Sequence, residues 1–240
     1  EDGIISKLFE LLPHSNKAER WCVDIGAWDG KHLSNTYSLL NNDENNTNWK
    51  GILIEADQER FRELQQLYST SSENCIYCMN AMVSCIASSS KSLIELLLNK
   101  SNLPSNFDFL CIDVDGIDYW LLEQVLESKK YTPQVICIEF NPTMPNDLIY
   151  IPSRNDNSRE GASLAALVEL CLTYNYTLVE TTLYNAFFVP DTMYQQYLRD
   201  LVPSTSIEHL HEVTMGTELY QLYDGTLKLH GCKKLLWHRQ

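Results

Sequence analysis

Apolar positions along this chain come in short β-branched runs separated by longer stretches of helical spacing. Trp21 to Ile25 (WCVDI) is the first run, and it leads into a Gly-containing turn and a segment around Leu33 to Leu40. Gly51 to Glu55 (GILIE) is the second, followed by Gln58 to Tyr68, where Phe61, Leu64, Leu67 and Tyr68 recur at helical spacing. Cys75 to Val83 predicts a third strand, and Lys91 to Leu98 a helix whose Ser-rich lead-in supplies caps. Phe107 to Val114 (FDFLCIDV) is the fourth run, with a helix from about Tyr119 to Glu127 behind it. Pro133 to Phe140 (PQVICIEF) is the fifth. Ser163 to Tyr174 is amphipathic, with Ser163 as its cap, and Tyr176 to Thr181 with Ala186 to Val189 form a closing hairpin around Tyr184-Asn185.

Continuous apolar strands alternating with helices imply a parallel sheet covered on both faces. Right-handed crossovers then give an α/β, Rossmann-like, doubly wound fold. The expected sheet has seven strands, mostly parallel, with an antiparallel terminal hairpin. The polar stretch from Thr143 to Glu160 holds Pro145, Pro152 and five Asn/Asp residues. It is too long for an ordinary connection, which marks it as a functional loop or lid. Residues 1–203 read as one domain and residues 204–240 as an extension packed on it. In that extension Leu219 to Leu229 and Leu235 to His238 are candidate edge strands.

Composition narrows the function more than the fold. With 240 residues, 44% of them hydrophobic, the chain can bury one ordinary core. Its formal net charge of -14 repels phosphate backbones and anionic lipid, and no Lys/Arg cluster exceeds Lys233-Lys234 in length. Nucleic acid and membrane surfaces are therefore disfavoured as partners. No apolar run approaches the ~20 residues of a membrane helix, and Ile4 to Leu12 alternates apolar with polar residues, unlike a signal-peptide core. Of eight cysteines, Cys22, Cys111 and Cys137 fall inside apolar runs, where Cys acts as a small hydrophobe. Cys75 and Cys78 form a CxxC, but on a strand that offset puts them on opposite faces. Free thiols suit a reducing compartment, so a cytoplasmic location is expected.

The strongest chemical signal is Val23-Asp24-Ile25-Gly26-Ala27-Trp28-Asp29-Gly30, at the end of the first strand. Gly26 permits a tight turn and Gly30 a close approach of a ligand or the next helix. Ligands of such sheets bind at the carboxyl ends of the strands. The second element is Glu55 at the end of strand two, followed by Ala56-Asp57; a carboxylate there can accept from both hydroxyls of a ribose. A dinucleotide fingerprint would need GxGxxG, and Trp28 stands at its middle glycine. Asp24 would also repel a pyrophosphate, whereas it suits the sulfonium and ammonium of S-adenosylmethionine.

The segments VDIGAWDG, ILIEAD, MNAMV and FDFLCIDVDGIDYW resemble the successive motifs of class I S-adenosylmethionine-dependent methyltransferases, and DIGAxxG with IDVDGIDYW looks closest to the FkbM-like group. The resemblance covers roughly residues 20 to 190. It implies that Asp24, Gly26 and Gly30, with Ala27, surround the methionine part and that Glu55, with Ala56 and Asp57, holds the ribose. It further implies that Asn80-Ala81 lie beside the adenine and Asp113 near the sulfonium. Trp28 is the departure, since many members of the class have a second glycine there.

Acids crowd the far end of the pattern. Asp113, Asp115 and Asp118 follow strand four, and Glu139 and Asn141 end strand five. In one reading Asp113, Glu139 and Asn141 bind a hard divalent cation (Mg, Mn or Ca), similar to metal-dependent catechol-type O-methyltransferases, although there the last two ligands are adjacent. In the other, a carboxylate is the general base for the acceptor. Asp115-Gly116 is also an ordinary turn, and Asp118 reads as a helix cap. His32 reads as a solvated helix residue. The sequence thus points to methyl transfer, with oxygen of a small molecule or sugar as the acceptor expected from the FkbM-like resemblance. A non-catalytic cofactor-binding module working through a protein partner is the alternative, and a nicotinamide-dependent oxidoreductase is disfavoured by the missing GxGxxG.

Overall fold

A computed structural model of the protein describes residues 1–13, 19–41, 49–69, 76–98, 103–212 and 218–230. Seven strands form one sheet: β1 (Arg20–Ile25), β2 (Trp49–Glu55), β3 (Ile76–Asn80), β4 (Phe109–Ile112), β5 (Val135–Glu139), β6 (Tyr176–Thr181) and β7 (Asn185–Pro190). Their order is β3-β2-β1-β4-β5-β7-β6. The first five are parallel, and β7 lies antiparallel between β5 and β6. This is the expected Rossmann-like, doubly wound sheet with its antiparallel terminal hairpin. Chain order reverses between β1 and β4, so the β1 and β4 ends flank the switch point where such sheets take ligands.

Period-two alternation sends the central strands' side chains to two cores. Val23, Ile25, Ile52, Ile54, Leu110, Ile112, Ile136 and Ile138 pack on one face, beneath α4 (Leu93–Leu98), α5 (Asp118–Ser128) and α6 (Leu164–Thr173). Cys22, Leu53, Phe109, Cys111, Val135, Cys137 and Phe187 pack on the other, with α1 (Asp2–Leu11) and α3 (Gln58–Tyr68). Full burial of each large aliphatic chain contributes about 1.5–3 kcal/mol, so both layers are held chiefly by apolar area. Two of the helices start at short polar side chains that cap them. Asp57 accepts from the Glu59 and Arg60 amides to open α3, and Ser163 accepts from the Ala166 amide to open α6.

Some local readings needed correction. Residues 2–11, to which the sequence pattern assigned no element, form a helix that buries Ile5, Leu8 and Phe9. Only Tyr37–Leu40 of the Leu33–Leu40 segment is helical, as α2, because the Asp29 and Ser34 side chains accept from backbone amides and hold the preceding residues in turns. Glu218–Gln221 (β8) and Leu227–His230 (β9) pair with each other in a separate two-stranded sheet and do not extend the main one. Cys75, Lys233-Lys234 and Leu235 to His238 lie outside the described residues. The six described cysteines are free thiols. Among the described residues no helix is long and apolar enough to cross a membrane.

Candidate functional site

Two adjoining cavities open along the carboxyl ends of the parallel strands. The first, about 380 Å³, lies over β1, β2 and β3 and is lined by Glu55, Ala56, Asp57, Ala81, Met82 and Val83 among others. The second, about 430 Å³, lies over β1, β4 and β5 and takes in Ala27, Asp24, Glu139 and the Tyr184-Asn185 turn. Gly26, Trp28, Asp113 and Asp115 line both. Each volume is in the range of small-molecule sites.

The loop after β1 is shaped by close contact. Gly26 has φ +88°, and a Cβ there would stand 1.8 Å from the carbonyl oxygen of Asp113. No other residue fits, because the backbone of Asp113, just past β4, occupies the space. The Gly26 and Ala27 amides both donate to the Ile54 carbonyl, which ties this loop to β2. Trp28 follows with φ +51°, and its indole is 48% exposed under the Arg60 guanidinium, 4.5 Å from the ring. The Trp28 amide donates to Glu55 Oε2 at 2.8 Å, and the Asp57 amide donates to Glu55 Oε1 at 2.6 Å. Glu55 is thus buried and fixed by two backbone donors, with its remaining lone pairs available at the first cavity.

Two residues of the motif serve the scaffold. Gly30 lines neither cavity; a Cβ there would meet Leu64 at 2.5 Å, so its role is to let α3 approach. The Asn80 amide group donates to the carbonyls of Glu55 and Ala56, so it braces the end of β2 and stays off the cavity wall that Ala81 forms. The resemblance implies Gly30 at the methionine and Asn80 at the adenine; in the structure Gly30 packs against α3 and Asn80 hydrogen-bonds the end of β2.

The second cavity is walled by acids at three strand ends. Asp24 is buried, and the Thr36 hydroxyl donates to its Oδ2 at 2.6 Å. Burial lifts the Asp24 carboxyl to about 6, while the Thr36 hydroxyl holds it down. The Asp113 and Glu139 carboxylates face each other with oxygens less than 4.8 Å apart. Burial, then the charges of Asp118 and Asp115, raises Asp113 to about 7. Burial, then the neighbouring Asp113, raises Glu139 to about 9. Two carboxyls this close titrate as a unit and hold a shared proton near neutral pH.

Asp113, Asp115 and Glu139 each bring a carboxylate oxygen within 4.8 Å of the others. Asn141 does not join them. Its Oδ1 accepts from the Thr143 amide and hydroxyl, and its Nδ2 donates to the Glu160 carbonyl. The sequence reading put Glu139 and Asn141 on one strand face, but β5 ends at Glu139, so alternation no longer governs Asn141. Asp118 is the first residue of α5 rather than its cap. Its two carboxylate oxygens accept from the Val114 and Gly116 amides, which clamps the turn that carries Asp113 and Asp115. Asp115 itself sits at φ +57°.

Other wall residues carried weaker signals. Ser34, Tyr184 and Asn185 are hairpin and loop residues of common type, and nothing in their own spacing flags them as cavity lining. His32 lies in a turn on the rim of the second cavity, paired with Asp29. Asp156 and Arg159, from the long loop, line the first cavity, and Asp156 accepts from the Ser84 hydroxyl and Cys85 amide. Loop length was the signal that singled this segment out.

No family model matches the chain, and no curated protein does. Among solved structures it is similar to the METTL16 MTase domain, with TM-score 0.46 and 14% identity, over 78% of this chain and 65% of that one. The chain therefore spans just under two thirds of that structure. It is also similar to the N-terminal domain of EvdMO1 with SAH bound, at TM-score 0.46 and 11% identity over 78% of both chains. The YcgJ protein of Bacillus subtilis aligns with 95% of this chain and 94% of its own, at TM-score 0.46 and 10% identity. At such identities function has to be argued from the site.

Proposed function

We propose that this protein is an S-adenosylmethionine-dependent methyltransferase that acts on a hydroxyl oxygen of a small molecule or sugar. One observation carries the reading. The fixed Glu55 and the closely spaced Asp113–Glu139 pair lie in two cavities that meet at Gly26, Trp28, Asp113 and Asp115. A nucleoside in the first cavity would set its ribose against Glu55 and bring its reactive end to the second. Bound S-adenosylmethionine supplies a methyl group activated on a sulfonium. Asp24 and Asp113 supply negative charge for that cation, and no helix-borne Gly-rich turn is arranged for a pyrophosphate.

The protein's own part is orientation and proton transfer. Methyl transfer is an in-line displacement, so holding the acceptor oxygen in line does much of the work. The Asp113–Glu139 pair, already short of one proton near neutral pH, takes the proton that the acceptor hydroxyl gives up. Diversion of Asn141 to the loop leaves the three acids without the amide ligand that a cation reading assigned them, and this favours the base.

Calorimetric titration with S-adenosylhomocysteine, repeated with NAD, tests the cofactor class. Micromolar binding of the first and none of the second is expected, with Glu55→Ala losing it. Glu139→Ala should keep that binding and lose turnover, and turnover should survive chelation of divalent metal. Binding of S-adenosylhomocysteine without methyl transfer to any acceptor would favour the binding-module alternative.

A further inference from the structure

Trp28 is an unexpected occupant of its position. Its φ is +51°, in the left-handed region where a bulky side chain is a conformational outlier and glycine is at ease. Backbone geometry therefore argues against tryptophan here. Core packing does not compensate, because the side chain is 48% exposed and belongs to neither apolar layer. The bond to Glu55 needs only a backbone amide, which any residue but proline supplies. The indole itself is left to be explained by a function.

Its surroundings indicate which function. Among the described residues, Trp28, Asp113 and Asp115 alone bring side chains to the walls of both cavities. All three attract a cation: two are carboxyls, and the face of an indole carries the negative part of the ring quadrupole. The ring already holds one cation, the Arg60 guanidinium, 4.5 Å from its centroid. Arg60 is tied in turn to Glu63 at 2.8 Å, so the indole is braced from that side by a guanidinium whose charge is answered. Arg159 borders the first cavity and His32 the second, and neither reaches the shared wall. An anion at the junction would meet two acids, whereas a compact cation meets three groups that all draw it in.

Resting on the methyltransferase reading, we infer that Trp28 is a cofactor-binding residue whose indole seats the sulfonium of S-adenosylmethionine at the junction of the two cavities. A nucleoside in the first cavity carries its sulfur toward the second across this shared wall. Transfer of the methyl group leaves the sulfur neutral, and the pull of the indole goes with the charge. Trp28 thus favours the charged donor over the demethylated product, a discrimination that glycine at this position could not supply. A cation over an aromatic face is worth roughly twofold to thirtyfold in affinity.

Calorimetry on the whole chain compares S-adenosylhomocysteine, whose sulfur is neutral, with sinefungin, which carries an ammonium-bearing carbon in place of the sulfur. Wild-type protein should bind sinefungin the more tightly. Trp28→Leu should weaken sinefungin about fivefold or more and S-adenosylhomocysteine less than about twofold. Trp28→Phe keeps an aromatic face and should hold most of the preference. Trp28→Gly removes the positive-φ strain, so it remains informative where the leucine variant does not fold, and it should lose the preference likewise. Each result is a ratio of two ligands in one protein, so a loosened loop that weakens both equally leaves it unchanged. An unchanged ratio in Trp28→Leu or Trp28→Gly, or a wild-type preference for S-adenosylhomocysteine, would overturn the inference. Failure of both ligands to bind would sink the methyltransferase reading instead. Trimethylsulfonium titrated into the free protein would then judge the seat alone, read on the indole N–H resonance that Trp28→Phe removes. A shift of that resonance is expected, and its absence would overturn the seat.

Discussion

Replacing Glu139 with Gln should remove turnover and make the protein more stable, and the gain should grow with pH. Burial and Asp113 raise the Glu139 carboxyl from 4.5 to about 9. Between those values the folded state keeps a proton that the unfolded state has lost. The unfolded state then binds fewer protons, so stability falls as pH rises through this window. One such group contributes a slope of at most about 1.4 kcal/mol per pH unit. Glutamine copies the neutral acid and cannot ionise, so the variant lacks this loss. From pH 5 to pH 8 the full effect would approach about 4 kcal/mol, an upper bound by the same conversion. Glu139 is partly solvated, and Asp113 takes up part of the relief once its partner is neutral, so about 2 kcal/mol at pH 8 is expected. Urea unfolding of both proteins at pH 5, 6, 7 and 8 measures it. Near-equal stability at pH 5 and a widening advantage for the variant should appear. A gap that stays flat, or a variant less stable at pH 8, would refute the claim that burial of this carboxyl opposes folding.

Three further outcomes follow from individual contacts. Gly26→Ala places a methyl against the Asp113 carbonyl oxygen, 1.8 Å away at φ +88°, and should cost at least ~2 kcal/mol in urea unfolding while abolishing S-adenosylhomocysteine binding. Thr36→Val removes the hydroxyl that donates to Asp24 at 2.6 Å; because that bond favours the ionised form, about 1.5–3 kcal/mol should be lost at pH 8 and less at pH 5, below the Asp24 value of about 6. Asp118→Asn weakens the clamp on the Val114 and Gly116 amides, and it should lower kcat more than it weakens S-adenosylhomocysteine binding, as single-turnover assays and calorimetry would separate.

The sheet was legible because its residues speak locally. WCVDI, GILIE, FLCI and VICIE are apolar on both faces, and only a strand covered on both sides needs that. Asp57 and Ser163 precede helical runs and cap them as their chemistry predicts. The misreadings have physical causes. Residues 2–11 are short and mixed, and they become a helix because Phe9 finds Trp49 and Phe109 across the chain, a contact no local pattern announces. Glu55, Asp113 and Glu139 stood out as acids at strand ends, where an unpaired charge is costly. Asn141 looked equivalent until the strand stopped short of it. Gly30 and Asn80 belong to the same motifs as the cavity residues but face α3 and the β2 terminus, and orientation is not written in spacing. Asn185 was read only as a hairpin residue, because its neighbour Glu139 lies 46 positions away and meets it only through antiparallel pairing.

The shared wall between the two cavities has a thermodynamic consequence. Gly26, Trp28, Asp113 and Asp115 face both spaces, so the occupants of the two cannot be energetically independent. A cation settled beside Asp113 alters the proton held between it and Glu139, and with that the affinity of the neighbouring space for a hydroxyl. By linkage the effect runs equally in reverse: the factor by which one ligand tightens or loosens the second is the factor by which the second acts on the first. The two affinities and their dependence on pH are then linked through that one coupling free energy.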